Sequence, residues 1–145
     1  MMLRIRKLTD YATVILAHLA RHADKSHTTS AISKVTHIAQ PTVRKLLKQL
    51  TRAQLLTAYR GRLGGYRLTL PPQDISLATV IRSIEGVIAI TECSQTNHHC
   101  AVVQHCSIQQ QWRLINQQIQ TTLNNISLAQ MIQPNPIAAM TPKVP

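Results

Sequence analysis

The sequence of 145 residues predicts a mainly α-helical chain with one small two-stranded β-sheet, and three observations support this. Apolar residues recur at helical spacing in the first fifty residues and again in the last third. Near residues 57–70 the pattern changes to a period of two around a glycine-rich turn. The net charge of +11 is confined to one half, because residues 1–67 carry thirteen Lys/Arg and two Asp/Glu while residues 68–145 carry three of each. Such a charge excess indicates a nucleic-acid or anionic-membrane partner.

The first two helices follow from apolar spacing and capping residues. One face of the first helix is apolar, at Leu8, Ala12, Ile15 and Leu19. Thr9 is a candidate cap for this helix. After a polar loop, Thr29 or Ser30 is expected to cap a short second helix that ends near Thr36.

A third helix and a β-hairpin complete the first half. Pro41 suits the first turn of the helix, whose buried stripe is Val43, Leu46, Leu47 and Leu50. Its other face has no acid at all and consists of Thr42, Arg44, Lys45, Lys48, Gln49 and Arg52. Strands are expected at Thr57–Arg60 and Tyr66–Leu70, joined by a turn at residues 61–65. Residues 1–72 are therefore predicted to form a winged helix-turn-helix domain that binds double-stranded DNA.

The candidate DNA contacts lie on the third helix and the wing. Thr42, Arg44 and Lys45 stand near the start of the helix, where side chains reach base edges in the major groove. Lys48 continues this face, and the wing adds Arg60 and Arg62. Further phosphate contacts are expected from Arg4, Arg6 and Lys7. The alternative interpretation is a solvated basic face on an ordinary helical bundle.

The second half predicts a linking helix, a cysteine loop and a long amphipathic helix. Ser76 is expected to cap a helix closed by Gly86, within a linking segment at residues 73–92. A loop at residues 93–106 precedes the long helix at residues 107–132, whose apolar positions are Ile108, Trp112, Ile115, Ile119, Leu123 and Ile126. The candidate homodimer contacts are Trp112, Ile115, Ile119 and Leu123. Residues 133–145 hold four prolines and are expected to be disordered.

The three cysteines of the chain, Cys93, Cys100 and Cys106, all lie in this loop. Thiolates at a C-x6-C-x5-C spacing can bind zinc or an iron–sulfur cluster, although structural zinc sites usually have a tighter pair. The alternative interpretation is that the three thiols are unrelated and bind no metal, and that some of them are buried as small hydrophobic residues. The sequence has neither a membrane span nor an export signal, so we expect a cytoplasmic protein whose thiols stay reduced.

Several motifs resemble one family of regulators. They are LTDYATVILAHLA at the start, PTVRKLLKQLTRAQLL in the middle, YRGRLGGYRL in the wing, the three cysteines, and LNNISLAQM near the end. The chain resembles IscR/NsrR-type iron–sulfur winged-helix regulators over residues 2–132, and within that type the regulators of SUF iron–sulfur assembly operons. The resemblance implies a homodimer joined through the long C-terminal helix, and one cluster per subunit held by Cys93, Cys100 and Cys106.

The fourth cluster ligand departs from one branch of that family. IscR-like proteins have a His three residues after the last cysteine, and this chain has Gln109 there. In nitric-oxide-sensing relatives an Asp of the first helix, from the other subunit, serves instead, and Asp10 matches it. His98, His99 and His105 are nearby alternatives. These residues do not decide the cluster type; 2Fe–2S is preferred to 4Fe–4S.

The favoured function is a transcriptional repressor that senses iron–sulfur or redox status and controls iron–sulfur assembly genes. The alternatives are a nitric-oxide- or iron-responsive regulator of other genes, a metal-free or zinc-binding winged-helix regulator and, in a different class, a small electron carrier. Enzyme chemistry is disfavoured, because the five acids are scattered and no nucleophile–base arrangement is visible.

Overall fold

The computed structural model describes residues 4–95 and 100–134. Its elements are α1 (Lys7–Arg21), α2 (Thr29–Thr36), α3 (Gln40–Arg52), β1 (Leu56–Tyr59), β2 (Gly65–Leu68), α4 (Leu77–Glu85), α5 (Gln109–Asn125) and α6 (Leu128–Met131). Single 3-10 turns lie at Pro72–Asp74, Glu92–Ser94 and Val103–His105. None of the helices in the described part is both long and apolar enough to cross a membrane. Most of the predicted disordered tail, residues 135–145, lies outside the described residues.

One hydrophobic core joins the N-terminal helices to α4 and α6. The predicted apolar stripes of α1 and α3 are buried in it, except that Leu8 is half-buried against its edge. Ile32 of α2, Leu56 of β1 and Val80 of α4 are buried in the same core. Leu128 of α6 enters the same core. The predicted mainly α-helical fold with a small β-wing is therefore confirmed, and α4 is an integral part of the winged domain rather than a linker outside it.

The prediction that Thr9 caps α1 is wrong. Arg6 occupies the capping position without a side-chain hydrogen bond, and Thr9 lies inside the first turn, 1% exposed. The carboxylate of Glu85, at the end of α4, accepts hydrogen bonds from the backbone N–H of Arg6 and from the hydroxyl of Thr9. A residue distant in sequence therefore performs the capping, which no local pattern could indicate.

The other helix ends follow their capping residues closely. Thr28, rather than Thr29 or Ser30, caps α2, because its hydroxyl accepts from the N–H of Ala31 at 3.2 Å. Pro41 lies in the first turn of α3, as predicted. Ser76 caps α4 and Gly86 closes it, which also agrees with the prediction. Within the linking segment at residues 73–92, the α-helix itself is limited to α4.

The wing is an antiparallel hairpin, and its strands lie slightly earlier in the chain than predicted. Leu56 pairs with Leu68 and Tyr59 pairs with Gly65. Arg60 therefore belongs to the turn, because pairing closes at Tyr59. β2 ends at Leu68, and the N–H of Thr69 still donates to the carbonyl of Leu55 at 3.0 Å, ahead of the two prolines that end the unit.

The predicted long helix at residues 107–132 is two helices, α5 and α6. Between them Ile126 is extended, because its carbonyl accepts from the N–H of Leu77 at 2.8 Å. The N–H of Leu128 in turn donates to the carbonyl of Ile75 at 2.8 Å. Ser127 and Gln130 then form a capping box that starts α6. This backbone bridge ties the end of α5 to the start of α4.

Candidate DNA-binding surface and cysteine loop

The basic face of α3 is open to solvent. Arg44, Lys45 and Lys48 are all exposed, whereas Thr42 is half-buried beside the apolar stripe. A surface depression of about 470 Å³ on this helix is lined by Pro41, Arg44, Lys45, Lys48, Gln49 and Arg52. Three of the four predicted contacts on this helix are thus free to meet a duplex, and Arg52 extends the same surface.

The wing presents a second basic surface. Arg60 and Arg62 are exposed in its turn, and Leu63 at the tip is 89% exposed. Arg67 on β2 was not among the predicted contacts. It lies 5.5 Å from the ring centroid of Tyr59, so an aromatic face supports its exposed guanidinium. The alternation of Tyr66, Arg67 and Leu68 could have indicated Arg67 as a contact. In a strand, neighbouring side chains point to opposite faces, so the basic residue points away from the two half-buried ones.

The N-terminal basic residues are exposed as well. Arg4, Arg6 and Lys7 all lie on the surface. The Nε of Arg6 is 3.9 Å from a carboxylate oxygen of Glu85, and the Nζ of Lys7 lies 5.4 Å from the ring centroid of Tyr11. Arg6 is therefore partly committed to an exposed ion pair, which a phosphate would have to replace.

The three cysteines are unpaired thiols in a segment of short turns. Cys93 is buried, and Cys100 and Cys106 are half-buried. The hydroxyl of Thr91 lies 3.2 Å from the Sγ of Cys93. Three thiols are a suitable donor set for iron or zinc. However, among the described residues, which omit 96–99, no three His, Cys, Asp or Glu side chains are grouped to hold a metal ion. The donor chemistry fits a cluster, and the described conformation does not gather the donors.

Of the candidate fourth ligands, Asp10 and His105 lie among the described residues. Asp10 is exposed on α1, where it lines a surface depression with Lys7, Thr13 and Met131. His105 is exposed in the loop, and His98 and His99 lie outside the described residues. Within one chain, no described carboxylate or imidazole completes a three-donor group with the thiols.

A set of polar contacts fastens the Cys93 segment to α5. Asn116, which is 4% exposed, accepts from the N–H of Ile90 at 3.2 Å and donates to the carbonyl of Ile88 at 3.3 Å. Gln120 donates to the same carbonyl at 2.9 Å. The Nε of Arg113 donates to the carbonyl of Cys93 at 3.2 Å. The apolar pattern of α5 did not predict these contacts, because a buried polar side chain does not add to hydrophobic periodicity.

The predicted dimerisation residues divide into two pairs. Trp112 and Ile115 are exposed at 37% and 45%, whereas Ile119 and Leu123 are half-buried. The latter two line a cleft of about 350 Å³ beside α4 and the residues that follow it. Along α5, which is described throughout, Asn116 is the one fully buried residue. On its other side the helix leaves Trp112 and Ile115 exposed, and these two are the candidate dimer contacts that remain accessible.

The fold, the basic recognition helix and the wing define the class of the molecule as a winged-helix DNA-binding protein. The model of the Rrf2 family, described as an iron-dependent transcriptional regulator, matches residues 5–134. The chain belongs to the Rrf2 family of transcriptional regulators, which confirms the IscR/NsrR-type resemblance and favours a regulator over an enzyme or an electron carrier.

Relatives and solved structures agree with this assignment. The chain is 30% identical over 108 residues to the HTH-type transcriptional regulator NsrR of Oceanobacillus iheyensis, which covers 73% of this chain and 74% of that protein. It is similar in fold to CymR, the global cysteine regulator of B. subtilis, with a TM-score of 0.74 at 24% identity over 90% of this chain and 97% of CymR. IscR of T. potens gives a TM-score of 0.71 at 23% identity, covering 98% and 94% of the two chains.

Proposed function

We propose that this chain is a homodimeric repressor of iron–sulfur assembly genes, and that it senses iron–sulfur or redox status through a cluster held by Cys93, Cys100 and Cys106. The family description as an iron-dependent regulator supports the metal. Three unpaired cysteines within one short loop supply a donor set of the required chemistry. The resemblance of the N-terminal motif to regulators of SUF operons supports iron–sulfur assembly genes as the targets.

One observation carries the proposal: the segment that holds Cys93 is hydrogen-bonded to α5, and α5 is tied back to the winged domain. Asn116 and Arg113 make the first connection. The backbone bridge of Leu77 with Ile126 makes the second. A change in the position of Cys93 therefore has a continuous path of direct contacts to the DNA-binding half, which is what a sensor needs.

The residues around the thiols each have a definable role. When bound, an iron–sulfur cluster supplies a redox-active centre whose potential depends on solvent exposure and on hydrogen bonds to sulfur. The hydroxyl of Thr91, 3.2 Å from the Sγ of Cys93, can donate such a bond to a thiolate. Arg113 holds the backbone of Cys93 in place. We assign the fourth position to Asp10 of the partner subunit, because Asp10 is exposed and Gln109 stands where IscR-like proteins have a histidine.

The cofactor is tested by anaerobic purification followed by iron, sulfide and absorption measurements. Replacement of Cys100 by Ala should remove the iron and sulfide, because it deletes one of the proposed ligands. The fold should persist, because Cys100 is half-buried in a loop and has no core role. Replacement of Ser107 by Ala is the matched control in the same loop and should retain them. A Cys100→Ala protein with full iron and sulfide content would refute the ligand assignment.

Regulation is tested with holo and apo protein on the promoter region of the gene itself. Replacement of Arg44 by Ala should relax the preference at one base position, at a cost of about 1–3 kcal/mol. Replacement of Lys48 should weaken binding to all sequences alike and reduce its salt dependence. If holo and apo protein bind the promoter equally, then the sensing role is wrong even though the chain binds DNA.

The homodimer is tested on the exposed part of the α5 stripe. Replacement of both Trp112 and Ile115 by Glu should give a monomer in sedimentation, because charges would replace exposed apolar surface without touching the half-buried Ile119. Replacement of both Gln110 and Thr121, which are exposed on α5, by Glu adds the same charge and should leave the dimer intact. A stable dimer of the Trp112/Ile115 variant would place the interface elsewhere.

A metal-free regulator is the second candidate, and one observation favours it. No three candidate donors are grouped among the described residues, although the cysteines are reduced. Under this alternative, anaerobically purified protein is colourless and the thiols themselves are the redox-sensitive groups. The iron and sulfide measurement on the unmodified chain distinguishes the two candidates directly.

A further inference from the structure

Three histidines outside the cysteine loop form a compact cluster at the end of α1. The ring centroid of His18 is 5.1 Å from that of His22 and 5.0 Å from that of His27, and the last two are 6.0 Å apart. The Nε2 of His27 also lies 3.1 Å from the carbonyl oxygen of His22, to which its N–H form donates. His18 lies in the last turn of α1, His22 is the residue that follows the helix, and the turn after α1 brings His27 to them.

The same turn is the attachment point of the wing. His27 forms an isolated β-bridge with Tyr66, with N–H to carbonyl distances of 3.1 and 2.9 Å. The hydroxyl of Ser26 donates to the carbonyl of Leu63, at the wing tip, at 2.7 Å. Gly65 approaches so closely that a Cβ would lie 2.6 Å from the carbonyl oxygen of His27. The hairpin that carries Arg60 and Arg62 is therefore held to α1 through Ser26 and His27.

We propose that His18, His22 and His27 are positioning residues for DNA binding, and that protonation of their cluster loosens the attachment of the wing. The inference concerns how the wing contributes to DNA binding and is independent of the cysteines. Three imidazoles within 6.0 Å of one another cannot all carry a charge without mutual repulsion. We expect this repulsion to displace His27, because His27 lies on a turn and not in a helix. The strand that pairs with His27 would then move with it.

The electrostatic surroundings act in the same direction. Burial, then the neighbouring charges of His27, His22 and Arg21, lower the pKa of His18 below its ordinary value. No carboxylate is among these influences; Asp24 and Lys25 of the turn are exposed, and Tyr66 of β2 pairs with His27 through its backbone. Because the pKa of His18 is lowered in the folded protein, the contribution of His18 to stability is complete above the ordinary histidine range and is lost as the pH falls through that range.

The test follows the wing and the imidazoles of the full-length protein by NMR, in the presence of EDTA, between about pH 7.5 and about pH 5.5. In the unmodified protein, the amide signals of residues 61–66 should shift with the same midpoint as the His18 ring. A variant with Gln at all three positions retains side chains of similar polarity that do not titrate. Its wing signals should stay unchanged over this pH range, and its pH 7.5 spectrum should resemble that of the unmodified protein.

DNA affinity is the second readout. Binding to a short mixed-sequence duplex is measured at about 0.15 M salt, where attraction by added charge is screened beyond ~8 Å. From the higher to the lower pH, the unmodified protein should lose about threefold more affinity than the triple variant, since a threefold change needs less than one pKa unit of coupling. Replacement of His22 alone by Gln, at an exposed site, should give part of the effect.

The control is His37→Asn, a histidine outside the cluster whose left-handed backbone (φ 57°) Asn also accepts. It should respond to pH like the unmodified protein. Wing amides that do not follow the imidazoles, or a triple variant with the same loss of affinity, would each overturn the proposal. Neither result would bear on iron content or on holo–apo differences, so the proposed sensing function stands or falls separately.

Discussion

Replacement of Asn116 by Ala is expected to destabilise the contact between α5 and the segment before Cys93. Asn116 is 4% exposed and makes two hydrogen bonds, accepting from the N–H of Ile90 and donating to the carbonyl of Ile88. In the variant, the carbonyl of Ile88 keeps its bond from Gln120 at 2.9 Å. The N–H of Ile90 has no such second partner.

The magnitude follows from this asymmetry. Loss of the satisfied bond to Ile88 costs about 0.5–1.5 kcal/mol, and an unsatisfied buried N–H at Ile90 costs about 1–3 kcal/mol. The space beside Asn116, about 410 Å³ and lined mostly by polar side chains, admits water that can replace part of the lost bonding. We therefore expect the free energy of unfolding to fall by about 2 kcal/mol, toward the lower end of the sum.

Two measurements check this value. Urea unfolding at one fixed protein concentration gives the free energy of unfolding without a contribution from altered association. Hydrogen exchange at Ile90 should accelerate about thirtyfold, since about 1.4 kcal/mol corresponds to a factor of ten. Replacement of Gln118 by Ala, on the exposed side of α5, should change neither. If Asn116→Ala loses less than about 0.5 kcal/mol and Ile90 remains protected, then the amide does not hold the Cys93 segment.

Three further substitutions test the winged domain. Gly65→Ala should detach the wing from the turn at His27 and cost more than about 1 kcal/mol, because φ is +139° and the new Cβ would meet backbone; hydrogen exchange in the hairpin measures it. Glu85→Gln should cost about 1 kcal/mol in thermal unfolding, because the bonds from Arg6 and Thr9 lose their ionised acceptor. Leu47→Ala, at a fully buried site, should cost about 2–5 kcal/mol in urea unfolding.

Each of these three has an outcome that contradicts its reasoning. A Gly65→Ala protein with an unchanged hairpin would mean that the backbone yields at no cost. Equal stability of Glu85→Gln and unmodified protein would mean that a neutral amide oxygen caps α1 as well as the carboxylate does. A loss below about 1 kcal/mol at Leu47 would show that the core collapses around the deletion.

Periodic apolar positions made most of the fold predictable. The stripes of α1 and α3 are buried as expected, because helical periodicity places Ile15 and Leu47 on faces that must be covered. Ser76 and Gly86 likewise bound α4 through local hydrogen bonding and backbone freedom. Where capping is local, the sequence is sufficient; where Glu85 caps α1 from another element, it is not.

The features that escaped prediction depend on contacts between distant segments. Asn116 carries a buried role that only the backbone of Ile88 and Ile90 explains. The break between α5 and α6 arises from pairing with residues 75–77, although Ser127 and Gln130 do show a capping-box pattern that could have located α6.

The candidate site divides in the same way. Arg44, Lys45, Arg60 and Arg62 were predicted from charge and are exposed. The histidine cluster could not be predicted in full, because His27 joins His18 and His22 only through the turn. Grouping of the three cysteines and Asp10 remains a prediction.

The backbone bridge at the end of α5 has a mechanical consequence. Because Ile126 and Leu128 are bonded to the residues that start α4, the far end of α5 is a fixed pivot on the winged domain. The middle of α5 is held by Asn116 to the segment that leads to Cys93. A displacement of this segment would turn α5 about its fixed end. A small movement at the thiols would then change the angle between α5 and the winged domain. In the proposed dimer built on α5, that angle would set the distance between the two recognition helices, and the preferred spacing of the DNA half-sites would change with it.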